Sequence, residues 1–203
     1  MPESTAGGDE AAWRTIDELA GVVGAYCWLE RRLFEVAGAW ASEPGPAEAD
    51  ADAGEAELRV WCAALARRHG DLAGRWAARL PVRAGVDAAA LISAPGRPEG
   101  LAEALDELAA TKERAAGVAG LVETVLPWLG GVYAADLATA SPVREGPVME
   151  VLVEARREGS AEIRGGQSLL RGLPENGKPS RHLGTTFERA FVASRVFPAV
   201  WAS

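Results

Sequence analysis

Residues 10–41 read EAAWRTIDELAGVVGAYCWLERRLFEVAGAWA, and their apolar positions recur every three or four residues in two neighbouring stripes. This spacing is typical of a helix with a wide buried face. The stripes contain Trp13, Ile16, Ala20, Val23, Cys27, Phe34, Ala37 and Ala41, and beside them Leu19, Val22, Tyr26, Leu29, Leu33, Val36 and Trp40. We therefore predict a helix over 10–41 that packs against two neighbours, with Asp9 as its N-cap.

Three further segments carry the same spacing between proline and glycine signals. They are 55–80, which Pro81 ends, 101–139, with a kink at Pro127, and 147–173. No segment shows the alternation of a strand. The prediction is an all-α protein, an antiparallel four-helix bundle over 1–173.

The connections differ in composition. An acidic loop is expected over 42–54, and an irregular stretch over 82–100 with one short helix around 87–92. Residues 174–203 are predicted as a C-terminal loop followed by a short amphipathic helix, which starts at Thr185 with Glu188 at the capping-box position.

Composition excludes several classes of protein. Apolar residues make up 48% and charged residues 25%, as in ordinary globular proteins. The net charge of −8 argues against a nucleic-acid surface. The two cysteines fall in apolar helical context, which favours buried thiols in a reducing cytosol. Without an apolar run of about 18 residues or a basic leader, we expect a cytoplasmic protein that binds no membrane.

Polar residues on the apolar stripes are the candidates for chemistry. Glu30 continues the stripe of the first helix and His69 that of the second, while Glu158 and Glu162 lie four residues apart on the fourth. Buried acids must be paired, so a shared polar centre is expected, with Glu30 and His69 in reach of each other. Such a centre supports metal ligation or acid–base catalysis, and the plainer interpretation is a core histidine and solvated glutamates.

Other polar positions are Lys112 and Asp136 in the third segment. Tyr26, Arg68 and Trp76 are the candidate substrate-binding residues, since an arginine that turns inward holds an anionic group and aromatic rings wall a pocket. Glycines at 159, 165 and 166 weaken the fourth helix, which indicates close approach, a bend or space for a ligand. Motifs of zinc proteases, nucleotide-binding proteins and serine hydrolases are absent from the sequence.

Several short motifs together resemble a family. They are Tyr26-Cys-Trp-Leu-Glu30-Arg-Arg-Leu-Phe34-Glu35, Arg68-His69, Trp76-Ala-Ala-Arg79-Leu-Pro81, Ser141-Pro142-Val143 and Gly146-Pro147-Val148. With them the chain resembles a divergent ferritin-like four-helix-bundle protein of an actinobacterial type, over roughly residues 10–173.

The resemblance implies a polar site inside the bundle, but the family's di-metal pattern is incomplete. That pattern needs Glu-x-x-His on two helices. Ala66 stands where the acid before His69 is required, the fourth helix has no histidine, and His182 lies in the tail. We therefore predict no cofactor. A single metal held by Glu30, His69 and either Glu158 or Glu162 is the alternative.

Three functions follow from these patterns. The first is a metal-independent enzyme or enzyme subunit that performs elimination, isomerisation or intramolecular displacement on a small polar or anionic molecule, as in specialised metabolism. Glu30 or Glu158 would then be the base and His69 the acid or the orienting group. The second is a non-catalytic helical partner of another chain. The third is a residual metal-dependent oxidase or hydroxylase.

We expect a homodimer or a complex with another protein subunit. The last segment carries Phe187, Phe191, Phe197 and Trp201, and such an aromatic patch calls for a partner unless it folds back on the bundle. Light scattering at micromolar concentration is expected to give at least twice the monomer mass. A monomer would contradict self-association.

Overall fold

The computed structural model describes residues 14–43, 53–82, 84–85, 87–93 and 98–173, and every regular element in these ranges is helical. The elements are α1 (Ile16–Ser42), α2 (Ala53–Ala77), a short 3₁₀ helix (Ala88–Leu91), α3 (Pro98–Ala109), α4 (Arg114–Gly120), a π turn (Leu121–Val125), α5 (Leu126–Thr139) and α6 (Gly146–Gly172). The predicted all-α class is confirmed for this part of the chain. The segment 174–203 and most of the acidic loop lie outside the described residues.

The first helix begins later than predicted. Thr15 has an extended backbone (ψ 166°), so α1 starts at Ile16 rather than at residue 10. The Thr15 side chain accepts a hydrogen bond from the Glu18 N–H, and the Glu18 carboxylate accepts one from the Thr15 N–H, which together form a capping box. This local signal sets the start of the helix. The proposed cap Asp9 lies outside the described residues.

The segment predicted as one helix over 101–139 is two helices. The chain breaks after α3, where the N–H of Thr111 donates to the Leu108 carbonyl in a tightened last turn. The break allows α3 to pack on α1 while α4 packs on α2 and α6. Lys112 lies exposed in the break and not on a buried seam.

Beyond the break, Arg114 is buried and its side chain joins three parts of the chain. Its Nε donates to the carbonyl of Trp40 at 2.9 Å, its guanidinium donates to the carbonyl of Glu43 at 3.3 Å, and it forms an ion pair with Glu55. The last carbonyls of α1 thus receive donors, and the end of α1 is tied to the start of α2 and of α4.

The disturbance predicted at Pro127 takes the form of a π turn just before it. Proline has no N–H, and its ring crowds the carbonyl four residues earlier, here that of Glu123. A π turn widens the helix there, and the N–H of Leu126 reaches back to the carbonyl of Leu121. The helix therefore continues from Arg114 to Thr139. Five helices in all pack against one another, since α4, the π turn and α5 form one rod.

That rod is long and apolar enough to cross a membrane, judged by length and composition. Its most apolar window of 18 residues has a mean hydropathy of 1.4, and 61% of the window is buried inside the protein. This is weak evidence for a membrane span, because the core helix of a soluble protein has the same properties.

Two glycines of α6 are explained by close approach. A Cβ at Gly166 would lie 2.4 Å from Val122 Cγ1 and 2.9 Å from Trp61 Cζ2, and one at Gly165 would lie 3.3 Å from Trp61 Nε1. The missing side chains allow α6 to lie directly against the π turn and α2. These contacts favour the close-approach reading of the two glycines over the other two.

Replacing Gly166 with alanine is expected to destabilise the protein by about 1–3 kcal/mol, since the overpacking cost exceeds the gain in helix propensity. Gly131→Ala in α5 is the matched control, because a Cβ there meets nothing within 4 Å. The control is expected to be neutral or slightly stabilising. Urea unfolding monitored by circular dichroism measures both. Equal stability of the two variants would contradict the packing argument.

Candidate functional site

A cluster of four buried polar side chains lies between the long helices. Glu30 comes from α1, His69 from α2, Tyr133 from α5 and Glu162 from α6, and none of them is more than 3% exposed. We call these four residues the polar centre. Each sits on the apolar face of its helix, and their meeting places ionisable groups in a low-dielectric interior.

His69 lies between the two carboxylates. Its Nδ1 hydrogen-bonds to Glu30 Oε2, and the Tyr133 hydroxyl donates to Glu30 Oε1. The predicted contact between Glu30 and His69 is therefore confirmed. On the other side of the ring, His69 Nε2 is 3.7 Å from Glu162 Oε2, too far for a hydrogen bond. The Glu162 carboxylate also lies 3.1 Å from the guanidinium of Arg68.

A cavity of about 240 Å³ opens beside the polar centre. Its inner wall contains Glu30, His69, Tyr133 and Glu162, and its outer wall includes the exposed residues Pro127, Arg156 and Ser160, so it lies between α5 and α6. Apolar residues line the rest: Leu72, Leu126, Leu129, Ala155 and Ile163. Gly159 also lines it, and its lack of a side chain leaves space in front of Glu162.

Two buried polar atoms of this wall have no hydrogen-bond partner among the described residues. They are His69 Nε2 and Glu162 Oε1. Buried polar atoms are nearly always satisfied, by protein, by water or by a ligand. An unsatisfied imidazole nitrogen beside a cavity therefore indicates that a bound molecule or water completes the site.

The surroundings shift the acidity of these groups. Burial would lower the pKa of His69, but the Glu30 carboxylate and, more weakly, Glu162 outweigh it and raise the pKa above 6.5. Burial raises the pKa of Glu162 above 4.5, against the opposing charges of His69 and Arg68. Burial, with Glu30 adding to it, raises the pKa of Tyr133 well above 10.0, so this phenol stays protonated and acts as a donor. Both His69 and Glu162 move towards neutral pH.

A second tyrosine–carboxylate pair lies beside the polar centre. The Tyr26 hydroxyl donates to Asp136 Oδ2 at 3.1 Å, and Arg14 forms an ion pair with the same carboxylate. Asp136 is buried, as its position in the sequence pattern suggested. The rings of Tyr26 and Tyr133 meet edge to face, with centroids 4.8 Å apart. This pair supports the polar centre without lining the cavity.

The predicted residues fall into two groups. Glu30, His69 and Glu162 line one cavity, whereas Glu158 lies with Arg68 in a separate polar groove on the surface between α2 and α6. The proposed substrate-binding residues Tyr26, Arg68 and Trp76 do not line the cavity. Tyr26 and Trp76 are fully buried in the core, and Arg68 is engaged with Glu162.

Sequence reasoning missed Tyr133 as a functional residue. A tyrosine on an apolar stripe gives no signal by itself. The informative pattern is the pairing of Tyr26 with Glu30 on one helix and of Tyr133 with Asp136 on another, since two helices that each carry one donor and one acid can satisfy each other.

Among the described residues, no group of three or more His, Cys, Asp or Glu side chains is arranged to hold a metal ion. The geometry gives a reason. Both oxygens of Glu30 already accept hydrogen bonds, from His69 and Tyr133, and Glu158 is directed to another groove. The predicted one-metal set is therefore not assembled in this arrangement.

No family model, curated protein or solved structure matches the chain. The functional argument therefore rests on the polar centre and its cavity.

Glu30→Gln is expected to lower the pKa of His69, because the neutral amide removes the strongest charge that favours the imidazolium. Histidine ring signals in NMR measure this directly, since the chain has only two histidines and a His182→Asn variant assigns them. Glu158→Gln is the control and should leave the His69 pKa near its wild-type value. An unchanged pKa in Glu30→Gln would contradict the contact.

The pH dependence of stability has a defined sign. Because the folded pKa of His69 is raised, its stabilising contribution is complete below pH 6.5 and is lost as pH rises through the folded pKa. The raised pKa of Glu162 acts in the same direction above pH 4.5. Urea unfolding of the wild type should therefore show stability that falls as pH rises from 6 to about 9. The fall should be smaller in His69→Gln, and parallel curves would refute this.

Proposed function

We propose that the protein is an acid–base enzyme, or a subunit of one, that acts on a small polar molecule held in the cavity. The observation that carries the proposal is the state of His69. Its Nδ1 is held by Glu30, while its Nε2 is buried beside the cavity without a hydrogen-bond partner among the described residues. An imidazole oriented by a carboxylate on one nitrogen and free on the other is arranged for proton transfer.

The other members of the polar centre have distinct roles in this proposal. Glu30 orients the imidazole and stabilises the imidazolium that forms when Nε2 takes a proton. Tyr133 positions Glu30 through its hydroxyl. Glu162, whose pKa burial raises, is the second proton carrier on the cavity wall. Two groups with pKa values moved towards neutrality provide the acid and the base of an elimination, isomerisation or intramolecular displacement.

The size of the cavity limits the substrate. About 240 Å³ corresponds to roughly eight water molecules at about 30 Å³ each, which is below the usual range of drug-sized pockets. The molecule is therefore small, and its carbon skeleton would contact the leucines and Ile163 of the wall while its polar end meets His69.

The finer fold belongs to the same proposal. We infer a ferritin-like four-helix bundle with a degenerate centre, formed by α1, α2, α5 with α4, and α6. Its support is that α1 packs along α2, α5 along α6 and α2 against α6, and that each of the four contributes one residue to the polar centre. In such bundles, sites are built from side chains that project inward from facing helices.

The test is a screen for acid–base chemistry with a panel of small oxo acids, hydroxy acids and amino acids in D₂O. Proton NMR is expected to show exchange of an activated C–H, or conversion, of at least one member of the panel. Both His69→Gln and Glu30→Gln should lower the rate by about 10²–10⁴-fold, the usual range for loss of a positioned acid or base. Glu158→Gln should retain it.

Circular dichroism of each variant establishes that the fold is kept. If no compound reacts in a His69-dependent way, the acid–base function is wrong, and the alternative of a non-catalytic helical partner is favoured.

A further inference from the structure

Arg156 stands at the outer wall of the cavity as a charge without a counter-ion. It is exposed, and within the described ranges its guanidinium forms no ion pair or hydrogen bond. The other arginines of this region are engaged with acids on the facing or same helix: Arg68 with Glu162, Arg75 with Glu154, Arg79 with Glu150 and Arg157 with Glu158. Arg156 is the exception in this group.

The charges around the cavity can be matched one by one. Glu30 is paired with His69, and Glu162 with Arg68. Arg156 is then the one ionisable residue of the described cavity wall whose charge no neighbour balances. The whole chain carries a net charge of −8, which repels anions at long range. An anion would therefore bind only where a cation is placed locally, and this cavity has one.

The position of Arg156 on α6 sets the direction in which a ligand would lie. Glu162 follows six residues later, which corresponds to about 9 Å along the helix axis at 1.5 Å per residue. Gly159 lies between the two and leaves the path open, because a Cβ there would meet only Glu162 Oε2, at 4.0 Å. Arg156 and the polar centre are thus the outer and inner ends of one cavity.

We propose that the cavity binds a small organic anion, a carboxylate or a phosphate ester, with its anionic group on the Arg156 guanidinium and its reacting end at His69 Nε2. Guanidinium groups pair with both kinds of anion through two parallel hydrogen bonds. Arg156 is then a specificity-determining residue, which the sequence pattern did not single out. The inference rests on the proposed function in using the same cavity, but binding is measured without turnover.

The experiment uses the full chain and three probes: butyrate, its neutral analogue butyramide, and inorganic phosphate. The histidine ring signals of His69, assigned with His182→Asn, report binding beside the polar centre. A saturable shift with butyrate or phosphate, and a weaker response to butyramide, is expected. The anion that binds more tightly identifies the group as carboxylate or phosphate.

Arg156→Gln is expected to weaken binding of that anion about 10- to 100-fold, as for the loss of charge-assisted hydrogen bonds. Arg157→Gln is the matched control. It removes the same charge from the next position of α6, where the side chain is 77% exposed and outside the cavity. The control should bind within about twofold of the wild type.

Three results would overturn the inference: no saturable binding of either anion, equal binding of butyrate and butyramide, or equal effects of the Arg156 and Arg157 variants. The two proposals fail separately. Arg156-dependent binding without His69-dependent chemistry would leave the anion site standing and remove the enzyme. His69-dependent turnover with an unchanged KM in Arg156→Gln would do the reverse.

Discussion

A carboxylate without access to solvent lies between three helices, and their relative positions depend on satisfying it. Glu30 is 0% exposed, and its two oxygens are bound by His69 of α2 and Tyr133 of α5. Burying an ion costs several kcal/mol unless its lone pairs are used, and removing one partner of a buried pair is strongly destabilising. α2 and α5 must therefore sit at the depth where both side chains reach α1. The same requirement that orders the core leaves one imidazole nitrogen free beside a cavity.

The packing of α1 against α5 uses a reciprocal arrangement. Tyr26 of α1 donates to Asp136 of α5, and Tyr133 of α5 donates to Glu30 of α1. The order of partners along one helix is the reverse of that along the other, so the two helices are antiparallel. The tyrosine rings meet edge to face between the two hydrogen bonds, and Trp76 packs against Tyr26 with centroids 4.9 Å apart. Rigid aromatic rings thus separate the acid at the cavity from the acid that Arg14 neutralises.

Helical periodicity was sufficient to predict the class of the fold and most of the long elements. α2 and α6 lie within a few residues of their predicted limits because Pro81 and Pro147 mark them. The start of α1 required the capping box at Thr15, a local signal that was present and overlooked. The break before Arg114 has no proline or glycine, since tertiary contacts produce it, and so no local pattern reveals it.

For the site, burial of polar residues on apolar stripes was the useful signal. It singled out Glu30, His69 and Glu162, because a stripe position implies burial and a buried acid implies a partner. It could not separate Glu162 from Glu158, whose positions one turn apart differ only in which neighbour they face. It also could not identify Arg156, since an exposed arginine is distinguished only by the absence of an acid near it, and that is a property of the folded protein.

The π turn at Leu121–Val125 has a consequence for how this helix presents its side chains. A π turn adds one residue to the helix, and each residue turns the helix by about 100°. Everything after Val125 is therefore rotated relative to everything before it. Tyr133 and Asp136 lie after the π turn, about two turns away. Their aim at α1 depends on the phase of the helix, which a backbone irregularity sets. A regular helix with the same residues would direct both away from their partners.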